Sequence, residues 1–146
     1  MRWGGSCVCI LMACADASEA DQVGRQLLKL NSGCLVTYRR AQDLMYNAPM
    51  GKVALVILGT NETSSTLGRI LKWLRKRWPN CPLTVVGDNG GGEQELTARM
   101  GGALYLTRPV RAQQWSDLLA HVLRLDVREV YIEGHRDLAA GSTHDE

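Results

Sequence analysis

Val53-Ala-Leu-Val-Ile-Leu-Gly59-Thr60 is an apolar run without alternation that closes on a glycine. A strand covered on both faces reads this way, and its end is the edge of a site. Downstream, Leu67, Ile70, Leu71, Leu74 and Trp78 make one stripe at helical spacing, stopped by Pro79. Leu83-Thr-Val-Val86 is the next strand. Strand, helix, strand is the unit from which the rest of the chain is read.

Upstream, Cys7 to Cys14 is a second unbroken apolar run, a first strand. Ser18 with Asp21 three residues on resembles a helix-capping pair, and Ala20, Val23, Leu27 and Leu30 follow at helical spacing to an end near Asn31-Ser-Gly33. Cys34 to Tyr38 is a second strand, Ala41 to Asn47 a short helix, and Pro49-Met-Gly51 the turn into the strand at 53 to 58. Beyond the fourth strand, Gly87-Asp-Asn-Gly-Gly-Gly92 is a loop. Glu93 to Met100 is a short helix closed by Gly101-Gly102, and Ala103 to Thr107 a fifth strand. After Arg108-Pro109 a last helix carries Ala112, Trp115, Leu118, Leu119, Val122 and Leu125 on one side. Five strands alternating with five helices imply an α/β fold, a parallel sheet with helices on both faces. The working crevice of such a sheet lies beyond the carboxyl ends of its strands, here residues 15–16, 59–60, 87–88 and 107–108. Residues 1–125 read as one domain, and 126–146 as a helical extension, linker and tail.

With 146 residues, 45% apolar and 22% charged, the composition is that of one globular domain. No apolar run approaches the roughly 18 residues of a membrane span. The charged start at Arg2 is too slight for a leader, so the chain reads as cytoplasmic. A formal charge of +2 argues for neither nucleic acid nor membrane. Five cysteines at irregular spacing form no disulfide framework, and the three histidines lie far from them. They read as free, buried thiols acting as small hydrophobes. The glycine loop at 87–92 lacks the lysine and hydroxyl of a phosphate cradle and reads as a flexible connection.

Two stretches carry a resemblance. Leu-Arg-Lys-Arg-Trp-Pro-Asn-Cys-Pro-Leu-Thr-Val-Val, residues 74–86, resembles the third helix, proline turn and fourth strand of bacterial response-regulator receiver domains. Gly101-Gly-Ala-Leu-Tyr-Leu-Thr-Arg-Pro109 is similar to their Gly-Ala-x-x-Tyr-Leu-x-Lys-Pro. The resemblance covers nearly all of residues 6–125 and implies a CheY-like, flavodoxin-type (βα)5 sheet, doubly wound, in strand order 2-1-3-4-5. It also implies where a phosphorylation site would lie. The acceptor aspartate falls on Gly59, the hydroxyl residue on Gly87, and the lysine on Arg108, whose Pro109 keeps the option of a cis peptide. The adjacent metal-binding acids fall on Ala15 and Asp16, or in a shifted register on Ala13 and Cys14, which leaves none. Asp16 alone is at most a weak Mg²⁺ site, so no metal and no cofactor is expected.

Phosphoryl transfer needs a nucleophile, a metal and positive charge together. This chain therefore reads as a degenerate pseudo-receiver: no enzyme, and a phosphorylation-independent module of two-component signalling or transcription control. It would act by protein contact or dimerisation on an attached or partner output domain, which could lie beyond residue 146. Two other readings stay open. The emptied cleft around Asp16, Gly59, Gly87 and Arg108 could bind a small anion or nucleotide, or Thr60, Glu62 or Asp88 could replace the acceptor.

Arg108 would either pair with Asp16 or Asp88, a built-in ion pair in place of metal and phosphate, or reach into solvent. Arg69, Lys72, Arg75, Lys76 and Arg77 form a basic helix face with Trp73 off the apolar stripe and exposed among them. The plainer reading is a solvated face, and direct nucleic-acid binding is not expected. Tyr105 occupies the position of the family's rotating aromatic switch, or simply packs beneath the fourth helix. The family's usual partner surface is helix 4, strand 5 and helix 5, on which Arg99, Arg111, Trp115, Asp117, His121 and Arg124 are the candidate contacts.

Overall fold

The computed structural model describes residues 8–30, 33–59, 63–88 and 92–123. The expectations for Cys7, Thr60, Glu62, Arg124, Leu125 and the 126–146 extension lie outside these residues.

The strands are β1 (Cys9–Ala13), β2 (Cys34–Tyr38), β3 (Val53–Gly59), β4 (Leu83–Gly87) and β5 (Leu104–Thr107). They form one parallel sheet in the order β2-β1-β3-β4-β5, a doubly wound CheY-like, flavodoxin-type fold. The helices are α1 (Ala17–Leu30), α2 (Ala41–Tyr46), α3 (Ser64–Arg77), α4 (Glu93–Met100) and α5 (112–123). Order and element types are those expected, with ends moved by a residue or two. Gly59 and Gly87, read as flanking their strands, are in fact the last residues of β3 and β4.

The unalternating strands are explained by a core on each face of the sheet. Leu11, Ala13, Val56, Leu58 and Val85 point to one side, against Leu44 of α2, Leu67, Ile70, Leu71 and Leu74 of α3, and Ala98 of α4. Ile10, Met12, Leu55, Ile57 and Val86 point to the other, against Val23 and Leu27 of α1 and Trp115, Leu119 and Val122 of α5. Each such aliphatic side chain, fully buried, contributes about 1.5–3 kcal/mol before the entropy of ordering it.

Four local readings change. α1 is capped not by Ser18 with Asp21 but by Asp16, whose Oδ1 accepts from the Ser18 amide and hydroxyl at 2.9 Å each. Trp73 is not exposed among the basic residues. It is half-buried against the core and meets Trp78 edge to face at 6.2 Å, so the helix stripe is wider than the sequence suggested. Ala112 is exposed at the start of α5 and drops out of that helix's apolar side. The cysteines divide: Cys14 and Cys81 are buried, but Cys9 and Cys34 only half-buried.

The turn into β5 needs a glycine. Gly102 has φ +80°, a left-handed conformation, and its amide closes α4 on the Arg99 carbonyl at 3.0 Å. The Arg75 guanidinium then ties α3 to this turn and to the proline turn, donating to the carbonyls of Gly102, Pro79 and Cys81. One of the five cations of α3 is thus a structural strut.

Candidate functional site

Parallel strands bring Ala13, Leu58, Val85 and the ends after them to one rim, as the register of β1 with β3 and β3 with β4 shows. Ala13 pairs with Leu58, so the next residue, Cys14, stands beside Gly59. It is Cys14, rather than Ala15 or Asp16, that faces the end of β3. A Cβ on Gly59 would lie 3.1 Å from the Cys14 Sγ and 3.0 Å from Nη2 of Arg108. The space where a side chain on Gly59 would stand is filled by a thiol and a guanidinium.

Arg108 arrives there because its backbone amide bonds the Gly87 carbonyl at 2.8 Å, which carries the chain off β5 over the neighbouring strand. The Arg108–Pro109 peptide is cis. Each nitrogen of the guanidinium then has its own place. Nε donates to Glu19 Oε2 at 2.8 Å, Nη1 donates to Asp88 Oδ1 at 3.0 Å, and Nη2 lies over Gly59. The fixed fork of arginine suits this bridge between two carboxylates, each met by its own nitrogen. Burial works against the Arg108 charge, but the Glu19 and Asp88 carboxylates outweigh it and hold the pKa above the ordinary arginine value.

Of the two partners expected for Arg108, Asp88 is confirmed and Asp16 is not. Asp16 is exposed and committed to the α1 cap, and its hydrogen bonds from Ser18 lower its pKa. The sequence missed Glu19. It stands in the first turn of α1, is buried, and accepts from the Cys14 thiol on Oε1 at 3.0 Å while holding Arg108 on Oε2. Only the cluster of acids at 16, 19 and 21 could have pointed to it. Desolvation first, and then the bond to Glu19, pushes the Cys14 thiol up to about 11, so it stays protonated as that donor.

The rim does not fit Mg²⁺. Glu19 is engaged by Arg108 and Cys14, Asp16 is turned to its helix, and a guanidinium stands over Gly59. Among the described residues, no group of three or more His, Cys, Asp or Glu side chains could hold a metal ion.

Gly87 is filled differently. A Cβ there would overlap the Tyr105 hydroxyl and the Gln94 side-chain carbonyl. Tyr105 is buried beneath α4, its hydroxyl donating to Gln94 Oε1 at 3.2 Å. Burial is the main reason its pKa is raised.

On the α4–β5–α5 side, Arg99 is exposed and paired with Glu95 at 2.6 Å. Arg111, Asp117 and His121 are exposed, Asp117 accepting from Gln113 at 2.8 Å. Trp115 is not a surface contact. It is wholly buried, its indole N–H donating to Gln22 at 3.2 Å, because the large ring fills the layer between α1 and α5. In its place the face offers Leu96, Met100 and Leu104, which are 59%, 79% and 47% exposed. Leu96 and Met100 are four apart on α4, a spacing visible in the sequence.

No protein-family model matches the chain. Protein RcaC of Microchaete diplosiphon is 34% identical over 82 residues, which is 56% of this chain but 13% of that protein. The chain therefore spans a small part of that relative's length. Among solved structures, a response regulator from Thermotoga maritima superposes with a TM-score of 0.70 at 13% identity, over 81% of this chain and 98% of its own. A CheY-like protein, TadZ of Pseudomonas aeruginosa PAO1, gives 0.64 at 16% identity, over 78% and 98%. HP1043, an orphan response regulator of H. pylori, gives 0.60 at 21%, over 85% and 97%. The chain shares the fold of these CheY-like receiver proteins. Among the described residues, no helix is long and apolar enough to cross a membrane.

Proposed function

We propose that this chain is a receiver-like signalling module that works without phosphorylation. The observation that carries the reading is the filled rim at Gly59, where Arg108 and Cys14 stand within 3.0 and 3.1 Å of any side chain that would begin there. Receiver chemistry gathers a carboxylate nucleophile, a divalent cation and a positive side chain around one phosphoryl group. Here the positive side chain remains, and its charge is met by Glu19 and Asp88. The ion-pair bridge takes the place of metal and phosphate and holds the rim in one state.

Its output is protein contact through the α4–β5 side. Leu96, Met100 and Leu104 supply the apolar centre, with Arg99, Arg111 and Asp117 at the rim. The partner is a second copy or an output protein of a signalling or transcription system. The short matched stretch within the much longer RcaC supports reading the fold as a module of a larger assembly. Sedimentation velocity at rising concentration tests this. Association is expected, lost in Met100→Glu and unchanged by acetyl phosphate with Mg²⁺. Association that requires the phosphate donor would contradict the proposal.

A further inference from the structure

Away from the rim, Cys9 of β1 and Cys34 of β2 are direct register partners in the parallel pair. Their sulfurs are 3.4 Å apart and both residues are half-buried. Adjacent strands lie about 4.7–4.9 Å apart, within the Cα separation of about 4.4–6.8 Å that a disulfide bridges. The backbone is anchored at both residues, Cys9 N–H to the Lys52 carbonyl at 3.0 Å and Cys34 N–H to the Val8 carbonyl at 2.9 Å. The sulfurs have to close from 3.4 Å to a bond of about 2.05 Å.

We propose that Cys9 and Cys34 form a redox modification site, at which a hydroperoxide-class oxidant converts the two thiols into an intramolecular disulfide. One thiolate attacks the peroxide and the O–O bond breaks, giving a sulfenic acid and, with hydrogen peroxide, water. The second thiolate attacks that sulfur, the S–O bond breaks, and the oxygen leaves as a second water. The two cysteines lose two electrons and two protons, and the peroxide is reduced by two electrons.

The location gives the bond its effect. Among the described residues β2 ends the sheet order with β1 as its one sheet neighbour, and the whole of α1 lies in the loop between the two cysteines. A link across 25 positions removes freedom from the unfolded chain and fastens the edge strand. Among the described residues Cys14 and Cys81 offer no comparable pairing: both are buried, and Cys14 is bound to Glu19 on the opposite rim.

The reduced full chain is treated with a small excess of hydrogen peroxide, blocked with iodoacetamide, and analysed by intact mass and peptide mapping. The expected result is loss of the mass of two hydrogens and a Cys9–Cys34 linked peptide. The product should have a higher urea midpoint, reversed by dithiothreitol. Cys34→Ser should lose the link and the midpoint shift, while Cys81→Ser should keep both. The proposal is overturned if Cys9 and Cys34 are both recovered alkylated, if Cys34 is linked to Cys7 instead, or if either sulfur is over-oxidised without a link.

Discussion

Gly59 and Gly87 end neighbouring strands at the same rim, yet the spaces beside them are filled by opposite means. Beside Gly59 stand the far end of a flexible arginine and a thiol, both held by hydrogen bonds to Glu19. Beside Gly87 stands a buried tyrosine whose hydroxyl would overlap any added Cβ. The first filling is electrostatic and can shift by a few tenths of an ångström; the second is packing and cannot. The space beside the last residue of β3 is thus held by charge, and that beside the last residue of β4 by an aromatic ring.

The largest effect is expected at the charge itself. Arg108→Ala leaves Glu19 buried beside a protonated thiol, with its cation gone. Because Arg108 keeps 22% exposure, the loss is set below that of a fully buried pair, at about 2–3 kcal/mol in urea unfolding. Unchanged stability would show that the bridge is ornamental. Gly87→Ala forces Tyr105 and Gln94 aside and is expected to cost about 1–3 kcal/mol. In a Tyr105→Ala background that cost should shrink, as a double-mutant cycle would register.

A pH series separates Cys14 from its neighbours. Its folded thiol ionises at about 11 against an ordinary 9.0, so its contribution is whole below about pH 9 and is lost as pH rises towards 11. Cys81 is raised by burial to about 11 as well, so Cys14→Ala should flatten only part of the alkaline decline. That part is on the order of 2 kcal/mol. An equally steep decline in the variant would place the titration elsewhere. The smallest effect belongs to Gly59→Ala, whose Cβ meets Nη2 of Arg108 and the Sγ and Cβ of Cys14 at 3.0–3.4 Å. About 1 kcal/mol or less is expected, and a loss matching Gly87→Ala would erase the distinction.

The sequence made the sheet legible because buried parallel strands and amphipathic helices carry different periods, and the two alternate from Cys9 to residue 123. Gly59, Gly87 and Arg108 could be located because the turn at Trp78-Pro79 and the stretch ending at Pro109 fix the register around them. Glu19 could not. Its role depends on how the first turn of α1 meets Cys14 and Arg108, a tertiary fact with no local pattern. Spacing set Trp73 off its stripe although its ring is half-buried. It placed Trp115 correctly on the apolar side of its helix, and only the resemblance made that ring a surface contact. Asp16 was visible as an acid, but a helix cap competes for its oxygens with any metal or cation.

Intact-mass analysis after incubation with acetyl phosphate and Mg²⁺ asks whether the rim can take a phosphoryl group. Arg108 and Cys14 occupying the space beside Gly59 predict a chain of unchanged mass. A stoichiometric adduct of one phosphoryl group would contradict it.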